Sequence, residues 1–205
     1  GLAKGRVLEL LEPFSGSLLP GTIEGYRLPQ SDGSARNRRN VRAADALLSQ
    51  AGWTVQDGLR RNAQGTPFEI TVTLKQGDTE SQSMMDIYQQ ALERLGITLT
   101  TEVLDSAQYK ERTQIYDFDM AYYRRGLSLS PGNEQMLYWG GDGVEQPGTR
   151  NWMGMNSPAA EAMIAKLVGY TSHEEFLAAV KALDRIVTAG RYVIPIHTSS
   201  FSRLA

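Results

Sequence analysis

The regular alternation of strand patterns and helix patterns in the middle of the chain constrains its fold more than any other feature. Residues 68–74 place apolar side chains at every second position, which predicts a strand with one buried face. A helical pattern follows over 79–95, and further strand patterns lie at 97–103 and 118–123. Because strands separated by helices pair in parallel, this order favours an α/β layer with a largely parallel sheet.

The flanking sequence predicts elements of the same kind. Turn residues and capping residues separate them, including a proline at the first helical position after Ser157 and a capping-box pattern at 172–175. The predicted elements are a helix at 41–51, a hairpin at 53–55 and 59–61, short helices at 106–115 and 136–139, helices at 158–168 and 172–188, and a final strand at 193–196.

Composition excludes several classes of function. The chain has 205 residues with 21 Lys and Arg, 23 Asp and Glu, two His and no Cys. The absence of cysteine excludes disulfides, thiolate metal sites and cysteine nucleophiles. A net charge of −2 gives no general reason to bind nucleic acid. His173 and His197 form no pair at a spacing typical of metal ligands, so we expect no metal site.

The first 38 residues suggest that the chain is part of a larger protein. Residues 1–38 are interrupted by Pro and Gly every few positions, and such a stretch needs another surface to lie on. The chain begins Gly-Leu rather than Met and carries no signal-peptide pattern. All strong periodicity lies within 39–197, which we expect to form one lobe.

The loop at 122–133 is the first candidate site. Open α/β sheets bind ligands beyond the carboxyl ends of their strands, and this loop follows the predicted strand at 118–123. It is rich in Tyr, Arg, Ser and Asn, which bind small polar or peptide ligands. The alternative is an ordinary connection between a strand and a helix.

Asp117 and Asp119 are the second candidate. At a spacing of two on a strand they would face the same side, and paired carboxylates can do acid–base work. The simpler alternative places Asp117 at the end of a turn and Asp119 on an exposed face or at the edge of the sheet. The sequence has no Gly-x-Ser-x-Gly elbow, P-loop or Gly-x-Gly-x-x-Gly motif, so we do not expect an enzyme.

Three stretches of sequence resemble the family 5 extracellular solute-binding proteins of bacterial ABC importers, and most of all their Yej-type oligopeptide-binding branch. The similarity extends over nearly the whole chain in the family's order. The three stretches are Asp117-Phe118-Asp119-Met120, Leu127-Ser128-Leu129-Ser130-Pro131-Gly132-Asn133-Glu134-Gln135 and Tyr138-Trp139-Gly140.

The resemblance implies the C-terminal lobe of a type II periplasmic binding protein, a two-lobed clamshell. The lobe is expected at 39–197, with 1–38 connecting to a missing first lobe and 198–205 returning toward it. The implied function is to capture oligopeptides in the periplasm and deliver them to an ABC permease in the membrane, without a cofactor. A nickel-chelate or other small-solute binder of the same family is the alternative, and a hydrolase using Asp117 and Asp119 is less favoured.

The resemblance also implies where ligand binds. Members of the peptide-binding type hold the ligand's amino group with an Asp at the position of Ser128, and they usually carry an aromatic residue at Arg125. Serine supplies no charge, whereas the Arg125 guanidinium favours a carboxylate or phosphate. The expected ligand-binding residues are Tyr123, Arg125, Gly126, Leu127, Ser128, Asn133, Asn151 and Trp152.

Overall fold

A computed structural model describes residues 37–124, 131–194 and 196. These residues divide into two compact units, one covering 37–124 and the other 131–194 with 196. The expected division into a segment at 1–38, one lobe at 39–197 and a return segment at 198–205 stays a prediction. Within the described ranges, none of the helices combines the length and hydropathy that crossing a membrane requires.

The first unit contains three helices and five strands, and its order of elements matches the prediction. The elements are α1 (Arg38–Gln50), β1 (Thr54–Gln56), β2 (Leu59–Arg61), β3 (Glu69–Lys75), α2 (Thr79–Glu93), β4 (Thr98–Leu104), α3 (Ser106–Gln114) and β5 (Met120–Ala121).

The first unit is built on a parallel sheet in the order β4-β3-β5. All seven residues of β3 pair with β4, from Glu69 opposite Thr98 to Lys75 opposite Leu104. On its other side β3 pairs with β5 only at Val72–Met120 and Thr73–Ala121. The predicted parallel α/β layer is therefore confirmed. A helix connects β3 to β4, and another connects β4 to β5.

The centre of β3 is buried on both faces, because Val72, Thr73 and Leu74 are consecutive and all buried, so the prediction of one buried face was wrong there. Val72 and Leu74 of β3 are 2% and 0% exposed, and Leu99 of β4 is equally buried. Met85 and Leu92, seven residues apart on one side of α2, belong to the same set of buried apolar residues. Burial of these side chains stabilises the sheet against its helices.

Gly96 ends the α2 region and allows the β1–β2 hairpin to approach it. Its φ is +76°, and a Cβ at this position would lie 2.9 Å from the backbone nitrogen of Arg60 and 3.0 Å from the Gly58 oxygen. The Gly96 carbonyl accepts a hydrogen bond from Arg60 N at 2.7 Å. Only glycine fits both the conformation and the contact.

The second unit is helical over its described residues. Its elements are α4 (Glu134–Trp139), a 3-10 helix (Gly141–Val144), α5 (Pro158–Val168) and α6 (His173–Gly190). Ser157 and Ser172 cap α5 and α6 with their hydroxyls, as predicted. The core joins Met155 to the two long helices, and its other buried members are Ala160, Ile164, Leu167, Ala179, Val180 and Leu183.

Two strand predictions were wrong in extent. The strand predicted at 118–123 is reduced to Met120–Ala121. The strand predicted at 193–196 is not formed by residues 193, 194 or 196, and Val193 and Ile194 are 46% and 57% exposed. Apolar β-branched residues form a strand only against a partner edge, and the described residues offer these two no such edge.

Candidate functional site

The carboxyl ends of β3 and β5 lie side by side, because Thr73 and Ala121 pair near the ends of both strands. This is the position at which open α/β sheets bind ligands. Polar side chains from three segments of the first unit meet there, namely the start of α2, α3 and the residues that follow β5. We call Asp78, Glu80, Tyr109, Tyr122 and Arg124 the carboxyl-edge cluster.

Arg124 is the centre of this cluster. Its Nη2 lies 2.6 Å from Oε2 of Glu80, in the first turn of α2, and 3.9 Å from Oδ1 of Asp78. Its guanidinium also lies 5.6 Å from the centre of the Tyr122 ring. Hydrogen bonding to Tyr122 and then to Glu80 raises the pKa of Arg124 above its ordinary value. The guanidinium therefore stays charged and fixed to the protein's own carboxylates.

Tyr109 approaches the same strand end from α3. Its hydroxyl donates to the carbonyl oxygen of Tyr122 at 2.6 Å. Burial raises the pKa of Tyr109 to about 12, and the negative charge of Asp78 and the nearby Tyr123 add to the effect. The hydroxyl thus keeps its proton throughout the physiological range and remains a donor.

Asp78 caps α2 at the carboxyl edge. Its carboxylate accepts hydrogen bonds from the Ser81 backbone N–H at 3.1 Å and the Ser81 hydroxyl at 2.6 Å. These bonds, the side-chain one first, lower the pKa of Asp78. With Glu80 and Arg124, the cluster carries two carboxylates and one guanidinium, a formal charge of −1.

The expected ligand-binding residues fall into three groups. Tyr123 lies in the first unit directly after β5, with 40% of its surface exposed. Asn133 and Trp152 belong to the second unit, where Asn133 is exposed ahead of α4 and Trp152 is half-buried. Arg125, Gly126, Leu127 and Ser128 lie outside the described residues.

Asn151, the remaining expected residue, is buried with 1% exposure. Its Nδ2 donates to the carbonyl oxygens of Gly140 at 3.0 Å and Met155 at 2.7 Å, and its Oδ1 accepts from Met155 N at 2.9 Å. The side chain therefore closes the glycine-rich segment between α4 and α5. Direct ligand contact by Asn151 stays a prediction, and its geometry is that of an internal brace.

Asp117 and Asp119 line one polar groove of about 410 Å³ in the first unit, together with Arg112. Arg112 Nε lies 2.8 Å from Oδ2 of Asp117, and Oδ2 of Asp119 accepts the backbone N–H of Thr71 at 2.9 Å. Both carboxylates thus hold local structure. This arrangement matches the simpler alternative of a turn residue and a residue at the sheet edge.

The residues expected to bind ligand did not include Glu80, Tyr109 or Arg124, although Arg124 lies within the candidate loop at 122–133. Glu80 and Arg124 are 44 positions apart, and Tyr109 and Tyr122 are 13 apart. The parallel-strand pattern could have located the edge where they meet, but not the pairs themselves. Over the described residues, no group of three or more His, Asp or Glu side chains could hold a metal ion.

Comparison with known proteins identifies a family. The bacterial extracellular solute-binding proteins, family 5 Middle, match residues 10–146 of this chain. A binding protein of Brucella melitensis is 38% identical over 196 residues, which cover 95% of this chain and 32% of that protein. A peptide-binding protein YejA of Agrobacterium fabrum is 32% identical over 197 residues, again 95% of this chain and 32% of the relative.

Solved structures share the fold. The oligopeptide-binding protein AppA of Bacillus subtilis, in complex with a nonapeptide, matches with a TM-score of 0.66 at 16% identity, over 91% of this chain and 38% of that one. The chain thus spans about a third of the length of the relatives it matches.

Proposed function

Because the chain belongs to family 5 of the bacterial extracellular solute-binding proteins, we propose that the whole protein captures oligopeptides in the periplasm for an ABC importer. The family consists of extracellular solute-binding proteins, and the structural neighbour from Bacillus subtilis is an oligopeptide-binding protein. The chain has the α/β fold of part of one lobe of a type II periplasmic binding protein, with a parallel sheet flanked by helices.

The carboxyl edge of the sheet carries the proposal. The chain leaves β5 through Tyr122, Tyr123 and Arg124, and two neighbouring helices bind this segment through Tyr109 and Glu80. The loop that the sequence predicts at 122–133 begins here. The relative from Agrobacterium fabrum that is named a peptide-binding protein supports the choice of peptide over other solutes.

In this proposal the loop supplies the ligand contacts on this lobe. Tyr123, Gly126, Leu127 and Ser128 bind the peptide backbone, with Asn133 and Trp152 further along the chain. Sequence-tolerant affinity comes from hydrogen bonds to the peptide main chain. Asn151 acts indirectly, because its hydrogen bonds to Gly140 and Met155 fix the segment that carries Trp152.

Charge sets the preferred end of the ligand. Ser128 offers a neutral hydrogen bond where a carboxylate would capture an amino terminus. Arg125 instead offers a planar guanidinium, which pairs with a carboxylate through two hydrogen bonds. We therefore propose that this lobe receives the carboxylate-bearing part of the peptide.

Transport follows from closure. A first lobe completes the site, and the two lobes close on the peptide by a hinge motion. The closed shape is what the permease in the membrane recognises. Each of these steps requires the whole protein. This chain matches about a third of the length of its relatives.

Mass spectrometry of the ligand that co-purifies with the whole protein tests the proposal. We expect short peptides of mixed sequence, released on mild denaturation. A nickel chelate or an oligosaccharide, with no peptide, would contradict the peptide assignment and support the small-solute alternative within the same family.

A further inference from the structure

The polar face of β3 forms the floor of a groove at the amino end of β5. Thr71 and Thr73 alternate with the apolar residues of β3, so their side chains lie on the other face of the sheet from them. Glu102 of β4 pairs with Thr73 in parallel register and belongs to that same face. α3 packs against β3 and contributes Arg112. All four residues line a groove of about 410 Å³, a volume typical of small-molecule sites.

The groove carries an excess of negative charge. The described residues that line it supply three carboxylates, from Glu102, Asp117 and Asp119, and one guanidinium, from Arg112, a formal charge of −2. Arg112 binds one oxygen of Glu102 at 3.3 Å and one of Asp117 at 2.8 Å. Asp119 accepts the Thr71 N–H through one oxygen. Within residues 37–124 each carboxylate thus uses one of its two oxygens in these contacts, and the other can accept from a further donor.

The hydroxyl of Thr73 is the most buried polar group of the groove and has no partner in the described part of the chain. Thr73 is 0% exposed, and its Oγ1 makes no hydrogen bond to any described residue. A buried hydroxyl without a partner costs free energy, whereas a bound group that donates to it removes that cost. The Thr73 hydroxyl therefore marks the floor of the groove as a place for a hydrogen-bonding ligand atom.

Two aromatic residues, Tyr116 and Phe118, also line the groove. Tyr116 has a φ of +59°, a left-handed conformation that is rare for a bulky side chain and that glycine adopts at lower cost. The fold thus places an aromatic ring at the groove in spite of the conformational cost. Aromatic rings attract cations through their faces, which adds to the attraction of the carboxylates.

We propose that this groove binds a small organic cation, an aliphatic amine in its ammonium form. An ammonium group supplies three donors and the positive charge that the groove lacks. Over the described residues, no three acidic or histidine side chains are placed to hold a metal ion, which favours a larger cation. The groove includes the residues before β5, whereas the carboxyl-edge cluster follows β5, so the proposal does not rest on peptide binding.

Calorimetry on the whole protein tests the charge of the ligand, with 1,4-diaminobutane as the probe and 1,4-butanediol as its neutral match. We expect saturable binding of the diamine that weakens with added salt, and no binding of the diol. Glu102→Gln should weaken diamine binding about two- to fivefold. Glu93→Gln, at the end of α2 and outside the groove, is the control and should bind like the wild type. Equal binding of diamine and diol, or no binding of the diamine, would overturn the proposal.

Thr73→Val separates a binding role of the hydroxyl from a structural one. The variant keeps the shape of the side chain and removes an unpartnered hydroxyl, so the melting temperature without ligand should not fall. Its affinity for the diamine should fall about two- to fivefold. Thr101→Val is the matched control, because Thr101 pairs with Val72 and lies on the opposite face of the sheet. A lower melting temperature with unchanged diamine affinity would show that the hydroxyl serves the fold alone.

Hydrogen–deuterium exchange locates the bound amine without any peptide in the experiment. We expect 1,4-diaminobutane to slow exchange at residues 116–119 of the wild type and to have no such effect on Glu102→Gln at the same concentration. Protection confined to other segments, or none at all, would overturn the proposal. A protein that binds no peptide but shows protection at 116–119 would contradict the proposed function and support the amine site.

Discussion

The carboxylate of Asp119 accepts a hydrogen bond from the backbone N–H of Thr71 at 2.9 Å. Asp119 is the residue immediately before β5, and Thr71 belongs to β3. The Asp119 side chain thus takes the place of a backbone carbonyl and extends the contact between β3 and the incoming chain. With the Tyr109 and Arg124 bonds at the other end, side chains hold this two-residue strand on both sides. The residue that first suggested acid–base chemistry is a structural anchor.

Removing that anchor should weaken the sheet edge. We expect Asp119→Ala to lower the free energy of unfolding by about 1 kcal/mol, because the Thr71 N–H loses a charge-assisted partner at an exposed site. Asp119→Asn keeps an acceptor oxygen and should lose less. Urea unfolding measures both, and Asp86→Ala on the exposed side of α2 is the control, expected within about 0.5 kcal/mol of the wild type.

Arg60 should matter far more than its place in a three-residue strand suggests. It is 1% exposed, its Nε donates to Leu95 O at 2.9 Å and its Nη1 to Trp53 O at 3.1 Å, and Nη2 pairs with Asp45 of α1. Arg60→Met removes the donor to these two half-buried carbonyls and should cost about 2–3 kcal/mol in urea unfolding. The neighbouring Arg61→Met should cost less than about 1 kcal/mol. Equal losses would refute the bracing role of Arg60.

The Asn151 brace makes a similar prediction for the second unit. Asn151→Ala leaves the Gly140 and Met155 carbonyls and the Met155 N–H without this partner in a buried site. The expected loss is about 3 kcal/mol of unfolding free energy. Exposed Asn156→Ala serves as the control. If Asn151→Ala unfolds like the wild type but loses peptide affinity, Asn151 is a ligand contact and not a brace.

The raised pKa of the Asp184 carboxyl group predicts that the stability of the protein depends on pH. Burial raises this pKa to about 6, although Thr188 and Arg185 act in the opposite direction. Because the folded state binds the proton more tightly than the unfolded state, its stabilisation is complete below about pH 4 and is lost as pH rises to about 6. Asp184→Asn should remove this fall and raise stability at pH 7 by roughly 1 kcal/mol, allowing for solvent screening of a partly exposed group.

The melting temperature of the wild type and of Asp184→Asn from pH 4 to pH 7 checks that sign. The difference between the two proteins should grow over this interval and then stay constant. Parallel curves would mean that the Asp184 carboxyl titrates near its ordinary value.

Local signals made much of the fold predictable. Ser172 was predicted correctly as a helix cap because a cap bonds to a backbone N–H two or three residues away. The alternation over 68–74 identified β3 because successive side chains of a strand point to opposite faces, which gives a period of two in the sequence. The edge where ligand binding is proposed followed from strand order alone.

The pairs at that edge were not predictable, because they join distant positions. Asp119 and Thr71 are 48 residues apart, and Arg124 and Glu80 are 44 apart. A sequence shows that such residues are polar, but only the register of β5 on β3 brings them into contact. The predicted length of β5 was wrong for the same reason, since strand propensity does not specify how far the pairing with a neighbouring strand extends.

Calorimetric titration of the whole protein with short peptides tests the central claim most directly. The account predicts saturable binding of peptides with varied side chains, with a 1:1 stoichiometry and weaker affinity for the same peptides when their carboxyl terminus is amidated. No heat of binding with any peptide, together with saturable binding of a nickel chelate or an oligosaccharide, would contradict it.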